Sequence, residues 1–193
     1  MKKIILASGS PRRRELFDRL GIDYTQITAE IAEDIQLNEL PEEAVRRIAQ
    51  EKAKAVSQAL KSGIIVSADT IVVYNGMILG KPKNELEAFD FLETLSGNSH
   101  RVITAICLIN KHTGFCAVKT ATTLVHFRDL SGEEIKAYIA TKEPFGKAGA
   151  YAIQGIGALL VEKIEGCYFN VVGLPLTILY EMLLEQGVNL LGG

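Results

Sequence analysis

Asp69 and Thr70 set a carboxylate beside a hydroxyl, directly after the apolar run Ile64–Val66 and the small pair Ser67-Ala68. The length and β-branching of that run read as a buried strand, with Asp69 at its mouth. Past Ile71–Tyr74 comes Asn75-Gly76, a strong hairpin signal because both turn residues must tolerate positive φ. The hairpin returns through Gly80 to Lys81-Pro82, so a fixed cation can come near the carboxylate. An acid at the end of a buried strand and a lysine one hairpin away suit a divalent metal and a phosphate. Taken singly, the two would read as a turn acid and a surface lysine.

A second group lies near the start. Lys2–Ala7 reads as a buried strand that leaves through Ser8-Gly9-Ser10-Pro11, with Ser10 a good N-cap and Pro11 suited to the first helical position. The helix that follows places Leu16, Phe17 and Leu20 on one face and stops at Gly21. Arg12, Arg13 and Arg14 crowd its N-terminus, where the helix dipole is already positive. Arg14 reads as an exposed arginine. For Arg12 and Arg13, a strand, a Ser-Gly-Ser bend and a cation-rich helix start make an anion cradle, and a bound phosphate would relieve the charge conflict.

The elements that must position these groups alternate between helix and strand. Tyr24–Thr28 reads as a second strand, and an acidic segment containing Glu33 follows it. Pro41 opens a long helix with an apolar stripe of Val45, Ile48, Ala49, Val56 and Leu60. Lys52 falls on that stripe, where it either snorkels from the edge or points its ammonium into a polar cleft. After the hairpin come a helix from about Asn84 to Ser96, two long strands, His100–Asn110 and Phe115–Phe127, and a helix over Asp129–Lys142 with a Ser131/Glu134 capping box. Gly146, Gly149, Gly155 and Gly157 punctuate the next segment, which also carries Gln154, and a last helix spans Pro175–Gln186. The interleaving predicts an α/β protein, and no repeat, linker or domain boundary interrupts residues 1–193.

Bulk properties exclude several classes. A chain of 193 residues with net charge −2 offers no general attraction to nucleic acid or an anionic membrane. Cys107, Cys116 and Cys167 are odd in number and lack C-x-x-C spacing, which points to a reducing, cytoplasmic setting. His100, His112 and His126 are scattered, which speaks against zinc, and no stretch approaches membrane-spanning length. Gly80-Lys81 is followed by proline, so there is no Walker motif, and Gly155-Ile156-Gly157 lacks the rest of a dinucleotide fingerprint. The residues left over form a polyanion toolkit: Ser8, Arg12, Arg13, Lys52 and Lys81, with Glu33 and Asp69 as hard oxygen donors for a divalent ion.

The pieces ASGSPRRRELF, Ala32-Glu33, Glu51-Lys52-Ala53, SADTIVVYNGMILGKP, LSGNSHRVITA and GKAGAYAIQGIGALLVEKIEGCYFNVVGLPL resemble, in order and over nearly the whole chain, the Maf family of nucleoside triphosphate pyrophosphatases, first described as septum-formation inhibitors. The resemblance implies a single ITPase-like α/β domain, an elongated mixed sheet flanked by helices, with two lobes and a central cleft. It implies hydrolysis of a nucleoside triphosphate to monophosphate and pyrophosphate, assisted by Mg²⁺ or Mn²⁺. By the same resemblance Asp69 is the proton acceptor, and Arg12, Thr70 and Gln154 match the branch acting on dTTP and UTP. The acidic pair usual in the family as Asp-Glu is Ala32-Glu33 here, so a metal held by that pair would be held more weakly.

The chemistry agrees with the residues. Lys52, Lys81, Arg13 and a metal ion would stabilise charge moving onto leaving pyrophosphate. Asp69 would orient or deprotonate water, or hold the metal; the roles compete, since a carboxylate bound tightly to metal is a poor base. The Gln154 amide can answer both the O4 carbonyl and the N3–H of thymine or uracil, but it can also flip to suit cytosine, whereas the donor-only Arg12 prefers a carbonyl where cytosine has an amine. Two other readings stand beside this one: a nucleotide-binding regulator of cell division with incidental hydrolysis, and a phosphatase for small phosphoesters, which would not need the Arg12, Thr70, Gln154 trio. Oligomeric state, a homodimer included, is left open.

Overall fold

In the computed structural model, which describes residues 3–28 and 30–192, the chain forms a mixed α/β fold. Lys2, the start of the first strand in the sequence reading, lies outside the described residues. Strands β1 (Ile4–Leu6), β2 (Tyr24–Gln26), β3 (Ile64–Tyr74), β4 (Met77–Leu79), β5 (Ser99–Asn110), β6 (Phe115–Phe127) and β7 (Val161–Glu165) form one seven-stranded sheet. Its order is β2-β1-β3-β5-β6-β7, with β4 paired to β3. The helices are α1 (Pro11–Arg19), α2 (Pro41–Gln58), α3 (Glu85–Leu95), α4 (Gly132–Ala140), α5 (Tyr168–Val172) and α6 (Leu176–Glu185). Two compact units can be distinguished: Met1–Asp69 with Thr104–Ala121 and Gly173–Gly193, and Thr70–Ile103 with Thr122–Val172.

In the first unit β1 runs parallel to both β2 and β3, pairing Ile4 with Tyr24 and with Ile64. Ile5, Leu6, Ile64, Ile65 and Val66 are fully buried, which is why both strands are apolar without alternation. The small polar residues after Val66 do not end β3. Ser67 is fully buried inside it, and its hydroxyl donates to the Ala49 carbonyl of α2 at 2.6 Å. Asp69 therefore sits in mid-strand rather than at a strand mouth. Pro11 opens α1 as expected, whereas the Ser10 side chain makes no capping bond and Leu20 is 37% exposed just past the helix end. Leu16 and Phe17 carry the apolar face of α1. Buried Ala44, Val45, Ile48, Ala49, Ala53 and Val56 carry that of α2.

In the second unit the hairpin is as read. Asn75 has φ 47°, Gly76 has φ 82°, and Tyr74 pairs with Met77. The Ser131/Glu134 capping box is fully formed at the start of α4. Val72, Leu92, Leu95, Val102, Phe127, Ile139 and Leu160 belong to one core cluster. Gly149 is required where it stands: its φ is +67°, and a Cβ there would lie 2.9 Å from Val72 Cγ1. Its N–H donates to the Gly80 carbonyl at 3.0 Å, tying the glycine-rich segment to the end of the hairpin.

His100 is buried in that unit, its Nε2 2.7 Å from the Tyr151 hydroxyl and its ring edge-on to Phe127 and Tyr151. Burial, aided by the charge of His126, lowers its pKa to about 4. A neutral imidazole in the folded state and a protonated one in the unfolded state means that stability is complete above the ordinary value of 6.5 and falls as pH drops toward about 4. The expected loss across that window is roughly 3 kcal/mol. Urea unfolding at pH 7 and pH 4.5 of wild type and His100→Gln measures it; an equal acid sensitivity in both would remove His100 as the cause.

Candidate active site

The first unit gathers three of the expected residues around one ammonium. Lys52, four residues after Ile48 on α2, does not snorkel to water; its side chain is only 14% exposed. Its Nζ lies 2.7 Å from Asp69 Oδ1 and 2.6 Å from Glu33 Oε1. Asp69 is 10% exposed and Glu33 38%, so the cluster is open on the Glu33 side. The bond from Lys52 goes to Oδ1 of Asp69, and Oδ2 makes no hydrogen bond among the described residues.

Ser8 and Arg13 form a neighbouring pair. The Ser8 Oγ accepts from Arg13 Nη1 and from the Ser10 backbone N–H, each at 3.2 Å, and the Ser8 carbonyl accepts from Gln26 Nε2 at 2.8 Å. Both hydroxyl lone pairs are engaged, so Ser8 has only its O–H left to give, which suits a phosphate oxygen. Arg13 Nε donates to the Gly173 carbonyl at 2.8 Å. Burial pushes the Arg13 pKa below its ordinary value; Asp69 and Glu33 oppose this and Arg12 adds to it. Arg12 and Arg13 therefore repel each other at this helix start. Arg12 itself is half-buried.

Thr70, Lys81 and Gln154 belong to the second unit. Thr70, the residue after Asp69, lies two positions before Val72, and exposed Lys81 two positions after its partner Leu79, so the hairpin carries both. Half-buried Gln154 occupies the N-cap position of a 3-10 turn, Gly155–Leu160, without capping it.

Two supporting side chains were not legible beforehand. Arg47 grips the loop that holds Glu33: it meets Glu39 at 2.7 and 2.8 Å and donates to the Asp34 carbonyl at 2.8 Å. Its hydrogen bond is the main cause that lowers the Glu39 pKa to about 2. Only the i,i+4 spacing of Arg47 to Glu51 hinted at any pairing there. Glu143 accepts from the backbone N–H groups of Ile156 and Gly157 at 3.1 and 2.8 Å and from the Tyr138 hydroxyl at 2.9 Å. Glycines are needed at 155 and 157 because this carboxylate comes close to the backbone there.

The donor set suits a divalent ion. Glu33 and Asp69 present hard oxygens to a single cation, at present an ammonium, and Mg²⁺ or Mn²⁺ commonly takes one or two carboxylates with substrate phosphates. Among the described residues no group of three or more His, Cys, Asp or Glu side chains forms a candidate metal site. No helix among them is long and apolar enough to cross a membrane.

The mixed α/β fold thus carries an acid–lysine–acid cluster and a serine–arginine pair beside a helix start. The chain belongs to the Maf family: the family described as Maf-like protein matches residues 3–186. A dTTP/UTP pyrophosphatase of Syntrophomonas wolfei is 50% identical over 186 residues, 96% of this chain and 98% of that protein. A dTTP/UTP pyrophosphatase of Caldicellulosiruptor saccharolyticus is 46% identical across 100% of this chain and 99% of its own length. One of Bacillus cereus is 45% identical over 98% of this chain and 92% of that protein. Among solved structures, the Staphylococcus aureus Ham1 protein covers 66% of this chain and 73% of its own at 19% identity and a TM-score of 0.48, too distant to bear on the chemistry.

Proposed function

We propose that this protein is a nucleotide pyrophosphatase that hydrolyses dTTP and UTP to the monophosphate and pyrophosphate with the help of Mg²⁺ or Mn²⁺. The observation that carries this reading is full-length identity of about half to proteins named dTTP/UTP pyrophosphatase, joined to the Glu33–Lys52–Asp69 cluster. Water adds across the anhydride between the α- and β-phosphates; its oxygen joins one phosphorus, the bridging bond breaks, and pyrophosphate leaves. Asp69 Oδ2 receives or orients the water's proton. Lys52 gives its ammonium to the phosphate oxygens as charge builds, with Arg13 and the Ser8 hydroxyl beside it, and Lys81 is a further phosphate-binding cation in this reading. Glu33 and Asp69 would hold the divalent ion, which when bound draws negative charge from the triphosphate. Arg12, Thr70 and Gln154 read the pyrimidine, with Gln154 answering O4 and N3–H and Arg12 favouring a carbonyl.

Chromatographic identification of products tests this. Incubation of dTTP or UTP with protein and Mg²⁺ or Mn²⁺ is expected to yield dTMP or UMP and pyrophosphate in equal amounts. Release of orthophosphate with a nucleoside diphosphate would overturn the assignment.

A further inference from the structure

A residue at a helical N-cap ordinarily spends its side chain on the first backbone N–H groups of the helix. Gln154 stands at that position of the 3-10 turn Gly155–Leu160 and does not do so, and its amide has no partner among the described residues. The two N–H groups it would otherwise serve, those of Ile156 and Gly157, are taken by Glu143 from a different part of the chain. The geometry is closely fitted. A Cβ on Gly155 would fall 2.6 Å from Glu143 Oε2, and one on Gly157 would fall 3.0 Å from Oε1 and 2.3 Å from the Ala152 carbonyl. The Tyr138 hydroxyl donates to Glu143 and accepts from the Ala152 N–H at 3.3 Å, so the same group braces the chain just before Gln154. The clamp thus holds both sides of one residue.

We infer that Glu143, braced by Tyr138, is a positioning residue for base selection: it caps the turn in place of Gln154 and thereby leaves the Gln154 amide aimed and available for the pyrimidine edge. This rests on the proposed base-reading role of Gln154. A carboxylate is needed, because its two oxygens accept three donors, whereas an amide in its place would turn an NH₂ toward N–H groups. Burial would raise the Glu143 pKa, and the bonds from Gly157, Tyr138 and Ile156 outweigh it and hold the carboxyl below its ordinary value. The group is therefore an anion, and a full acceptor, at neutral pH.

The experiment is a double-mutant cycle on selectivity. kcat/KM for dTTP, UTP and CTP is measured in wild type, Gln154→Ala, Glu143→Gln and the double variant. Gln154→Ala alone is expected to narrow the preference for dTTP and UTP over CTP by about tenfold or more. Glu143→Gln should narrow it by about tenfold, and should add nothing in the Gln154→Ala background. Tyr138→Phe, which removes one brace and keeps the ring, should do the same more weakly and serves if Glu143→Gln does not fold. An equal fall for all three nucleotides, an unchanged ratio, or an effect that persists without Gln154 would each overturn the positioning role. An unchanged ratio in Gln154→Ala itself would overturn the base-reading role, and the positioning role with it.

Discussion

Asparagine in place of Asp69 is expected to lower kcat about a hundredfold or more, the scale of losing a general base. The substitution keeps the shape and removes the charge. It takes away the oxygen that would receive the water's proton, one anionic donor for a divalent ion, and the partner that Lys52 meets at 2.7 Å. Because Asp69 lies inside β3 between buried Ala68 and half-buried Thr70, the strand itself should survive the change. Steady-state turnover of dTTP, with a thermal melt to establish folding, makes the comparison. A folded Asp69→Asn protein with near-normal turnover would remove this residue from the chemistry.

Lys52→Met is expected to reduce turnover by about a hundredfold to a thousandfold, as for loss of a preorganised donor to developing charge. Methionine keeps the length and polarizable bulk of the stem and deletes only the ammonium. It also removes the ammonium that lies between Glu33 and Asp69, leaving the Arg13 guanidinium as a cation that still acts on both. Like charges brought together bind a divalent ion more readily, so calorimetric titration of the nucleotide-free variant with Mn²⁺ should give tighter binding than wild type. Unchanged turnover would make Lys52 a purely structural tie. Weaker Mn²⁺ binding would mean that Glu33 and Asp69 do not share an ion.

Features that depend on one local conformation were legible in the sequence. Asn75-Gly76 is a hairpin because its two positions need positive φ, and Ser131 with Glu134 is a capping box because the spacing is the motif. Features decided by distant partners were not. Ser67 reads as a strand end because a hydroxyl in an apolar run ordinarily seeks water, yet the Ala49 carbonyl satisfies it and β3 continues for seven more residues to Tyr74. Strand β7 and helix α5 were hidden in the glycine-punctuated segment. There Thr123 Oγ1 exchanges hydrogen bonds with the Cys167 backbone, 44 positions away, and no local pattern records that. The site divides the same way. The register of Lys52 on its helix marked it as unusual, but its two carboxylate partners, and the Arg47 and Glu143 supports, come from chain crossings that spacing does not reveal.

With both acceptor positions of the Ser8 oxygen filled, by Arg13 and by the Ser10 amide, the hydroxyl hydrogen has a heading before any ligand arrives. A hydroxyl that spins in solvent must be frozen when it grips an anion; here that ordering has already taken place during folding. The same economy makes the position hard to interrogate. Alanine at 8 would delete a donor to the ligand and at one stroke take an acceptor from the buried Arg13 guanidinium and from a backbone amide. A loss of binding and a loss of stability would then arrive together, and an alanine scan could not tell them apart.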